Sequence, residues 1–309
     1  MHLHPYFRRV PWLVYLLAMV ASGVVSAQMN VSHPLVNKIS QADGSWIDEA
    51  KLLEKVQSHA YVFVGEKHDN PEHHRLELLL IQARLKNVTA PGADKVIFEM
   101  LDDSQDKALA NLKSGNSLEQ MHTILSWSAK SWDWASYGTL FQAALNKEAL
   151  KSGNISKSFI SKIYREGEKS MLENPRFETV FQATPTIKSY LLDQIFTSHC
   201  GMQSRETLTP MLHIQLAKDA SMASAMAQSA RGMLIAGGEH VRVETAVPWH
   251  LKQKKKGADV MVIQLIEVKP DQHDVQSYLQ AVGKADYYWF TGATEAKDYC
   301  AGVKGKAAQ

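Results

Sequence analysis

The chain has only two cysteines in 309 residues, Cys200 and Cys300. Zinc sites built from cysteine need pairs spaced a few residues apart, and these two are about 100 residues apart. The sequence therefore excludes a cysteine-based zinc module. In an exported protein an even pair predicts one disulfide, and two buried free thiols are the alternative.

Long apolar runs are also absent after residue 27, so no later segment reaches the ~20 residues that a membrane helix requires. The first 27 residues differ. Arg8 and Arg9 precede an apolar run from Leu13 to Val25, and small residues follow up to Ala27. This pattern predicts a signal peptide, residues 1–27, that is cleaved after Ala27. An uncleaved anchor is the alternative. Because no cysteine follows the run, no bacterial lipid anchor is expected.

A strong net charge is missing as well. The formal charge is +2, and removal of residues 1–27 takes away two arginines and no acidic residue, leaving a balance of zero. Nucleic-acid binding depends on a field that neutralises phosphates, so nucleic acid is not an expected partner.

Short buried strands alternate with helices along the rest of the chain. Continuous apolar, β-prone runs predict the strands, and near-helical spacing of apolar residues predicts the helices. The strands are expected at Tyr61 to Val64, Lys95 to Met100, Met233 to Ala236 and Asp259 to Val268, with an edge strand at Tyr287 to Phe290. Such alternation predicts an α/β fold with a mostly parallel central sheet flanked by helices.

Residues 156–199 lack buried-strand character and are broken at Gly167, Pro175 and Pro185. We expect them to form a smaller helical subdomain. Residues 28–155 and 200–309 then make up the large α/β domain, and the lead-in from Asn30 to Asp43 is predicted to be irregular.

Two strand ends carry the same pattern, G-x-x-H. Gly65 to His68 and Gly237 to His240 each follow a buried strand directly, and Glu99 ends a third strand. Ligands of open α/β sheets sit at the carboxyl ends of the strands. We therefore predict a cluster of Glu66, His68, Glu99 and His240 that holds a divalent metal or performs acid–base chemistry. Hydrogen-bonded structural histidines are the alternative.

Two further features lie close to these turns. His73 and His74 are interpreted as helix residues near the site rather than ligands, because adjacent helix positions point about 100° apart. Trp127, Trp132, Trp134 and Tyr137 form an aromatic segment that is either a corner of the core or a wall for a flat ligand.

The chain resembles the ChaN-like haem-binding uptake family, which is related to the Tiki metalloproteases and the erythromycin esterases. The resemblance runs in order through most of the chain after residue 32. Its stretches are HPLVNKI, VFVGEKHDNPEHHR, VIFEM, the W-x-W-x-x-Y segment at Trp132, SHCGM, QLAKDASMA, GGEHVRVETAVPWHL and DYYWFTGATEAKDYC.

The resemblance implies a haem-binding protein of a bacterial iron-acquisition system, with haem held by a tyrosine at a homodimer interface. Three tyrosines are candidate ligands: Tyr164, which is followed by Arg165, and Tyr137 and Tyr190. A neighbouring cation favours the phenolate form that binds ferric haem. The signal peptide adds a periplasmic location, and an outer-membrane haem receptor system is an expected partner.

Three functions follow from these residues. The first is a periplasmic haem-binding protein without turnover. The second is a metal-dependent hydrolase that uses the Glu66, His68, Glu99 and His240 cluster. In the third, the G-x-x-H turns are structural and the protein acts through a partner protein.

Overall fold

The computed structural model describes residues 33–90, 92–128, 130, 132–295 and 300. The signal peptide predicted at residues 1–27 lies outside this part of the chain. Among the described helices, none combines the length and apolar character that a bilayer span requires.

The described strands form one eight-stranded sheet with the order β2-β1-β8-β7-β3-β6-β4-β5. Their bounds are β1 Ile39–Gln41, β2 Trp46–Ile47, β3 Tyr61–Glu66, β4 Lys95–Asp102, β5 Leu150–Asn154, β6 Gly232–Gly237, β7 Val260–Glu267 and β8 Tyr287–Thr291. The strands from β8 to β5 are parallel, and β1 pairs antiparallel with both β2 and β8. The predicted mostly parallel α/β fold is confirmed.

Helices cover both faces of this sheet. Their bounds are α1 Glu49–Ser58, α2 Pro71–Leu85, α3 Asp106–Leu109, α4 Leu118–Ile124, α5 Trp134–Leu145, α6 Lys157–Glu166, α7 Pro185–Ser198, α8 Arg205–Ala227, α9 Val247–Lys254 and α10 Val275–Val282. Short 3₁₀ turns lie at Asp103–Gln105, Gly167–Met171, Pro175–Gln182 and Gly238–Val241. Ser117 and Gln120 form a capping box at the start of α4.

Three hydrophobic clusters organise the interior. One packs α2 and α5 on one face of the sheet, and a second packs Leu35, the last turns of α8, and α9 and α10 on the other. The third lies within the helical segment, where Ile163, Phe177 and Leu191 pack against Leu212 and Leu216 of α8. Residues 156–199 therefore pack together with α8 around a small hydrophobic core that is separate from the other two.

Two predictions about the sheet are wrong. Tyr287 to Phe290 is not an edge strand, because β8 lies between β1 and β7. The lead-in from Asn30 to Asp43 is not wholly irregular, since Ile39–Gln41 forms β1 and covers β8. Both misreadings have one cause. The neighbours of a short strand in the sheet are set by tertiary structure, and its local sequence does not indicate which strands they are.

Cys200 lies just after α7 and is joined to Cys300 by a disulfide. The bond connects the end of the helical segment to the chain that follows β8.

Candidate functional site

The site forms where three neighbouring parallel strands end. β6 lies between β3 and β4, so the carboxyl ends of all three meet at one edge of the sheet. β3 ends at Glu66, and β6 ends at Gly237 just before the 3₁₀ turn that holds His240. Glu99 comes from β4. The structure thus brings together the four residues that the sequence places at strand ends.

Glycine at position 237 leaves the space that this arrangement needs. A Cβ atom there would lie 2.8 Å from Nε2 of His68 and 3.6 Å from Oε2 of Glu99. The main-chain N–H of Gly237 donates to Oε2 of Glu99 at 3.0 Å. The glycine therefore lets the histidine approach and at the same time fixes the carboxylate.

The turn after β3 is fixed by Asn70. Its side chain accepts hydrogen bonds from the N–H groups of Glu72 and His73, which caps the start of α2. Its amide donates to Glu267 at 2.8 Å and to the carbonyl of Gly292 at 3.0 Å. The loop that presents His68 is thereby tied to the neighbouring strand end.

His68 lies between two carboxylates. Its Nδ1 is 2.9 Å from Oε1 of Glu66, and its Nε2 is 3.6 Å from Oε2 of Glu99. Burial opposes a charge on the ring, but the hydrogen bond with Glu66 and the charge of Glu99 raise the pKa of His68 above its ordinary value. For Glu66, burial acts in the opposite direction and is outweighed by His68 and His74, so its pKa falls to about 2.

His240 is placed in the same way by a residue that the sequence analysis missed. Asp219, in the middle of α8, lies 2.5 Å from Nδ1 of His240, and Nε2 of His240 faces Oε1 of Glu99 at 3.1 Å. Although burial disfavours the imidazolium, Glu99 and Asp219 raise the pKa of His240 to about 10. The pKa of Glu99 is lowered, because His240 and His68 outweigh the effect of its burial.

The two histidines therefore share one arrangement. Each directs Nδ1 to a buried carboxylate, Glu66 or Asp219, and turns Nε2 towards Glu99. A carboxylate behind the ring is typical of histidines that ligate metals, since it fixes the tautomer and the ring orientation. The same arrangement positions a general acid or base. Glu66 here orients His68 through its Nδ1. The sequence alone did not distinguish this role from that of a direct metal ligand.

Glu66 also meets residues from α2 and α5. Its Oε2 lies 3.2 Å from Nε2 of His74, and its Oε1 accepts a hydrogen bond from the hydroxyl of Tyr137 at 2.8 Å. Glu77, one turn after His74, is buried beside it, and burial together with Glu66 raises the pKa of Glu77 well above its ordinary value. His74 thus contacts the site directly, which the sequence analysis did not expect.

His73 faces another direction, as the helical geometry requires. Its Nδ1 accepts from the N–H of Lys67 at 2.8 Å, and its Nε2 lies 2.9 Å from Oγ1 of Thr291. Burial lowers the pKa of His73 to about 4. This ring therefore helps to hold the turn and does not face Glu99.

The aromatic segment is divided between the core and the site. Trp127 and Trp134 pack against the buried ring of Phe141. Trp132 is half-buried, and its ring centre lies 4.4 Å from that of His68. Core packing accounts for the first two tryptophans, and Trp132 forms a wall of the site.

Cavities open on either side of the cluster. One of about 880 Å³ is lined by His68 and His240 together with apolar residues of β7 and α10 such as Ile266 and Val282. The other, of about 750 Å³, is lined by Glu99, Trp132, Lys218 and polar residues of neighbouring loops. Both volumes are within the range of small-molecule sites, roughly 300–1,000 Å³.

The three candidate haem tyrosines lie in different environments. Tyr137 is buried, and burial together with Glu66 raises its pKa, which opposes the phenolate. Tyr190 is half-buried, its hydroxyl is 3.4 Å from Oε2 of Glu239, and burial followed by Glu239 raises its pKa to about 12. Tyr164, on α6, is 52% exposed. Tyr190 and Tyr164 lie outside the strand-end cluster.

The family model described as "Haem-binding uptake, Tiki superfamily, ChaN" matches residues 52–251. The chain belongs to this family. The matched residues include all four members of the strand-end cluster and Tyr164.

A solved ChaN structure shows the same fold as this ChaN-family chain, and two further structures align less well. The structure of ChaN of Campylobacter jejuni with cofacial haem aligns with a TM-score of 0.66 at 22% identity, covering 81% of this chain and 95% of that one. The type III effector HopBA1 aligns with a TM-score of 0.40 at 11% identity, covering 84% and 99%. A Bacillus cereus protein aligns with a TM-score of 0.30 at 13% identity, covering 70% and 67%. No curated protein matches the chain.

Proposed function

We propose that this chain is a periplasmic haem-binding protein of a bacterial haem or iron uptake system, and that Tyr164 is the axial ligand of the haem iron. The supporting observation is the exposure of Tyr164 within the matched family region. Among the described tyrosines, it is the one with an exposed side chain.

The chemistry of tyrosine ligation favours Tyr164 over its alternatives. Ferric haem takes the anionic phenolate, so nearby cations help and nearby carboxylates oppose. Arg165 follows Tyr164 directly, and Lys162 lies on the same helix. Tyr137 and Tyr190 donate instead to Glu66 and Glu239. Lysine and arginine side chains on α6 also suit the two carboxylates of a haem.

Exposed apolar side chains in the helical segment and just after it support a haem shared between two copies of the chain. Leu172, Phe181 and Met202 are 63%, 39% and 40% exposed. Exposed apolar groups of this kind often mark interaction sites. The cofacial haem of C. jejuni ChaN is consistent with a homodimer in which two such surfaces enclose the cofactor.

Export to the periplasm rests on the signal peptide predicted at residues 1–27, and delivery to or from an outer-membrane haem receptor follows from that location. Expression of the full chain in a Gram-negative host, followed by fractionation and N-terminal sequencing, tests the first step. A periplasmic chain beginning at Gln28 is expected. A chain that keeps Met1 and stays with the inner membrane contradicts the proposal.

Hemin titration tests the binding function. The mature chain is expected to give a saturable Soret shift at micromolar hemin, together with a charge-transfer band of phenolate ligation. Tyr164→Phe is expected to remove that band and weaken binding at least tenfold, whereas the matched control Tyr190→Phe keeps both. A wild-type chain without a saturable shift contradicts haem binding. If Tyr190→Phe loses the charge-transfer band and Tyr164→Phe keeps it, Tyr164 is not the ligand.

A second candidate function, metal-dependent hydrolysis, is favoured by one observation: Nε2 of both His68 and His240 faces Glu99 between the two cavities. A metal bound there would polarise a substrate carbonyl or activate water, with Glu66 and Asp219 orienting the histidines. This function predicts a hydrolytic activity restored by Mn²⁺, Co²⁺ or Zn²⁺ and abolished in His68→Ala. A chain that binds no metal through these residues and has no restorable activity excludes it.

A further inference from the structure

Glu77 is a buried carboxylate for which the described residues provide no ordinary partner. Its side chain is 0% exposed, and neither of its oxygens has a hydrogen bond of good geometry among the described residues, although the carboxyl group of Glu66 lies close enough to interact with it. Oε2 of Glu66, which is also buried, lacks a hydrogen bond of good geometry there, although Nε2 of His74 is 3.2 Å away. Buried polar atoms are nearly always paired, so this group of three calls for an explanation.

The three side chains converge on one small volume. Glu66, His74 and Glu77 each offer one ligand atom, and these atoms all lie within 4.8 Å of one another. Within the described part of the chain, this is the set of histidine, cysteine and acidic residues that meets that criterion. His74 and Glu77 lie three positions apart on α2 and so share a helix face. Pairs of a glutamate and a histidine at this spacing supply metal ligands in helical di-iron proteins.

Electrostatics explain why the volume favours a cation. Two carboxylates that leave water together carry a large desolvation cost unless opposite charge lies beside them. The charged groups that act on Glu66 are His68 and His74, and the one that acts on Glu77 is Glu66 itself. Burial and Glu66 both raise the pKa of Glu77, so neither reduces the cost of ionising it.

We propose that Glu66, His74 and Glu77 bind a divalent first-row transition metal ion at a closed site that fixes α2 to the end of β3. One imidazole nitrogen and two carboxylate oxygens suit Mn²⁺, Fe²⁺ or Zn²⁺ better than soft ions. The carbonyl oxygen of His68, which lies 3.1 Å from Nε2 of His74, is a candidate for a fourth ligand. This inner site is independent of the haem proposal.

The inner site shares Glu66 with the strand-end cluster but uses the other oxygen. Oε1 faces His68 and Tyr137, whereas Oε2 faces His74. An ion at the inner site therefore holds the carboxylate that orients His68. Because His74 and Glu77 do not contact Glu99 or His240 in the described structure, replacing them separates the inner site from the outer one.

The test measures metal bound to the mature chain purified without chelator, followed by titration of the chelator-treated protein with Co²⁺ and Mn²⁺. Co²⁺ absorption and Mn²⁺ resonance report on the ligand set. Glu77→Gln preserves shape and removes the charge, and Glu119→Gln, at an exposed position of α4, is the matched control. His240→Gln alters the outer cluster alone.

We expect wild type, Glu119→Gln and His240→Gln to bind one ion with the same Co²⁺ spectrum and to melt at a higher temperature with metal than without. Glu77→Gln should bind the ion at least tenfold more weakly and lose the metal-dependent rise. Equal binding by Glu77→Gln, loss of the spectrum in His240→Gln alone, or no saturable signal from wild type overturns the inner site.

Should Glu77→Gln not fold, His74→Gln removes a different ligand. Loss of the Co²⁺ spectrum there supports the site, and an unchanged spectrum overturns it. Hemin titration of the same variants keeps the two proposals distinct, because the inner site predicts unchanged haem binding.

Discussion

Nδ1 of His240 lies 2.5 Å from Oδ1 of Asp219, so a residue of a strand-end turn is paired with one from the middle of helix α8. Both side chains are buried. The contact holds α8 against the end of β6 and turns Nε2 of His240 towards Glu99. The orientation of this histidine therefore depends on helix α8, which also places Gln215 beside His240 and Lys218 near Glu99.

Replacing Asp219 should be costly. Asp219→Leu leaves His240 buried beside Glu99 without its second partner, and breaking a buried pair in this way typically costs about 3–5 kcal/mol. Asp219→Asn keeps a hydrogen-bond acceptor and should cost less. Urea unfolding measures both. The control Asp193→Asn breaks an exposed pair with Arg205 and should cost less than about 1 kcal/mol. Equal losses for Asp193→Asn and Asp219→Leu would show that the buried pair is unimportant.

Tyr137→Phe should separate stability from haem binding. The variant removes the hydroxyl that donates to Glu66 at 2.8 Å. A hydrogen bond to a charged group contributes about 1.5–3 kcal/mol, so the free energy of unfolding should fall by that amount. The Soret shift with hemin should be unchanged, because burial and Glu66 keep this phenol protonated. A weaker hemin affinity in the folded variant would make Tyr137 a ligand candidate again.

Arg84 should not tolerate lysine. Its Nε lies 2.8 Å from Asp94, and its other nitrogens donate to the carbonyls of Val56, His59 and Ala60. A lysine cannot reproduce this planar set of donors, and it leaves Asp94 partly unpaired. Chemical denaturation should show a loss of about 3–5 kcal/mol. Arg75→Lys, which changes an exposed pair with Glu72, is the control and should be nearly neutral.

Stability should fall in mild acid because of His250. Burial, with a smaller effect from Lys254, lowers the pKa of His250 to about 3, and its Nδ1 is 2.7 Å from Oγ1 of Thr179. In the unfolded chain a histidine titrates near 6.5. Between that value and about 3 the unfolded state binds the extra proton, so this residue costs stability as the pH falls, by at most about 1.4 kcal/mol per pH unit.

The variant His250→Gln checks this assignment. It should be less stable than wild type at pH 8, where the bond to Thr179 is lost and no proton is involved. The difference between the two unfolding free energies should shrink as the pH falls below about 6.5. Parallel curves from pH 8 to pH 4 would assign the acid sensitivity to other groups.

Removing the disulfide should also destabilise the fold. The bond between Cys200 and Cys300 closes a loop with a sequence separation of 100 residues. Replacing both cysteines by serine should lower the free energy of unfolding by about 2–4 kcal/mol, mainly because the unfolded chain regains freedom. A reductant should lower the melting temperature of wild type and leave the double variant unchanged. An effect of the reductant on the double variant would point to a cause other than this bond.

Much of the site could be predicted from the sequence because its signals are local. Four-residue apolar runs stopped by glycine mark buried strands, and parallel strands in one sheet bring their carboxyl ends to one edge. Glu66, His68 and His240 follow from these two rules, and Glu99 follows from the second rule applied to the apolar run Val96 to Phe98. The capping box at Ser117 is likewise a pattern of neighbouring residues.

Other members of the site have no such signal. Asp219 lies within a long helix rich in alanine and methionine, and its partner His240 is 21 residues further along the chain. The pair His74 and Glu77 does show an i, i+3 spacing, but α2 is buried on several sides, so the sequence does not indicate which face turns to Glu66. The placement of β8 inside the sheet depended on β1, a strand of only three residues.

The sequence by itself determined the α/β class, the parallel strands and the cluster at their ends, since hydrophobic period and turn residues act over a few positions. Tertiary structure alone decided that Glu66 stands behind His68, that Asp219 stands behind His240, and that Glu77 is buried beside Glu66. It also decided which tyrosine faces solvent. These contacts depend on how helices pack against strands that are far away in the sequence. The pKa of a buried group is then set by the charges that this packing places beside it.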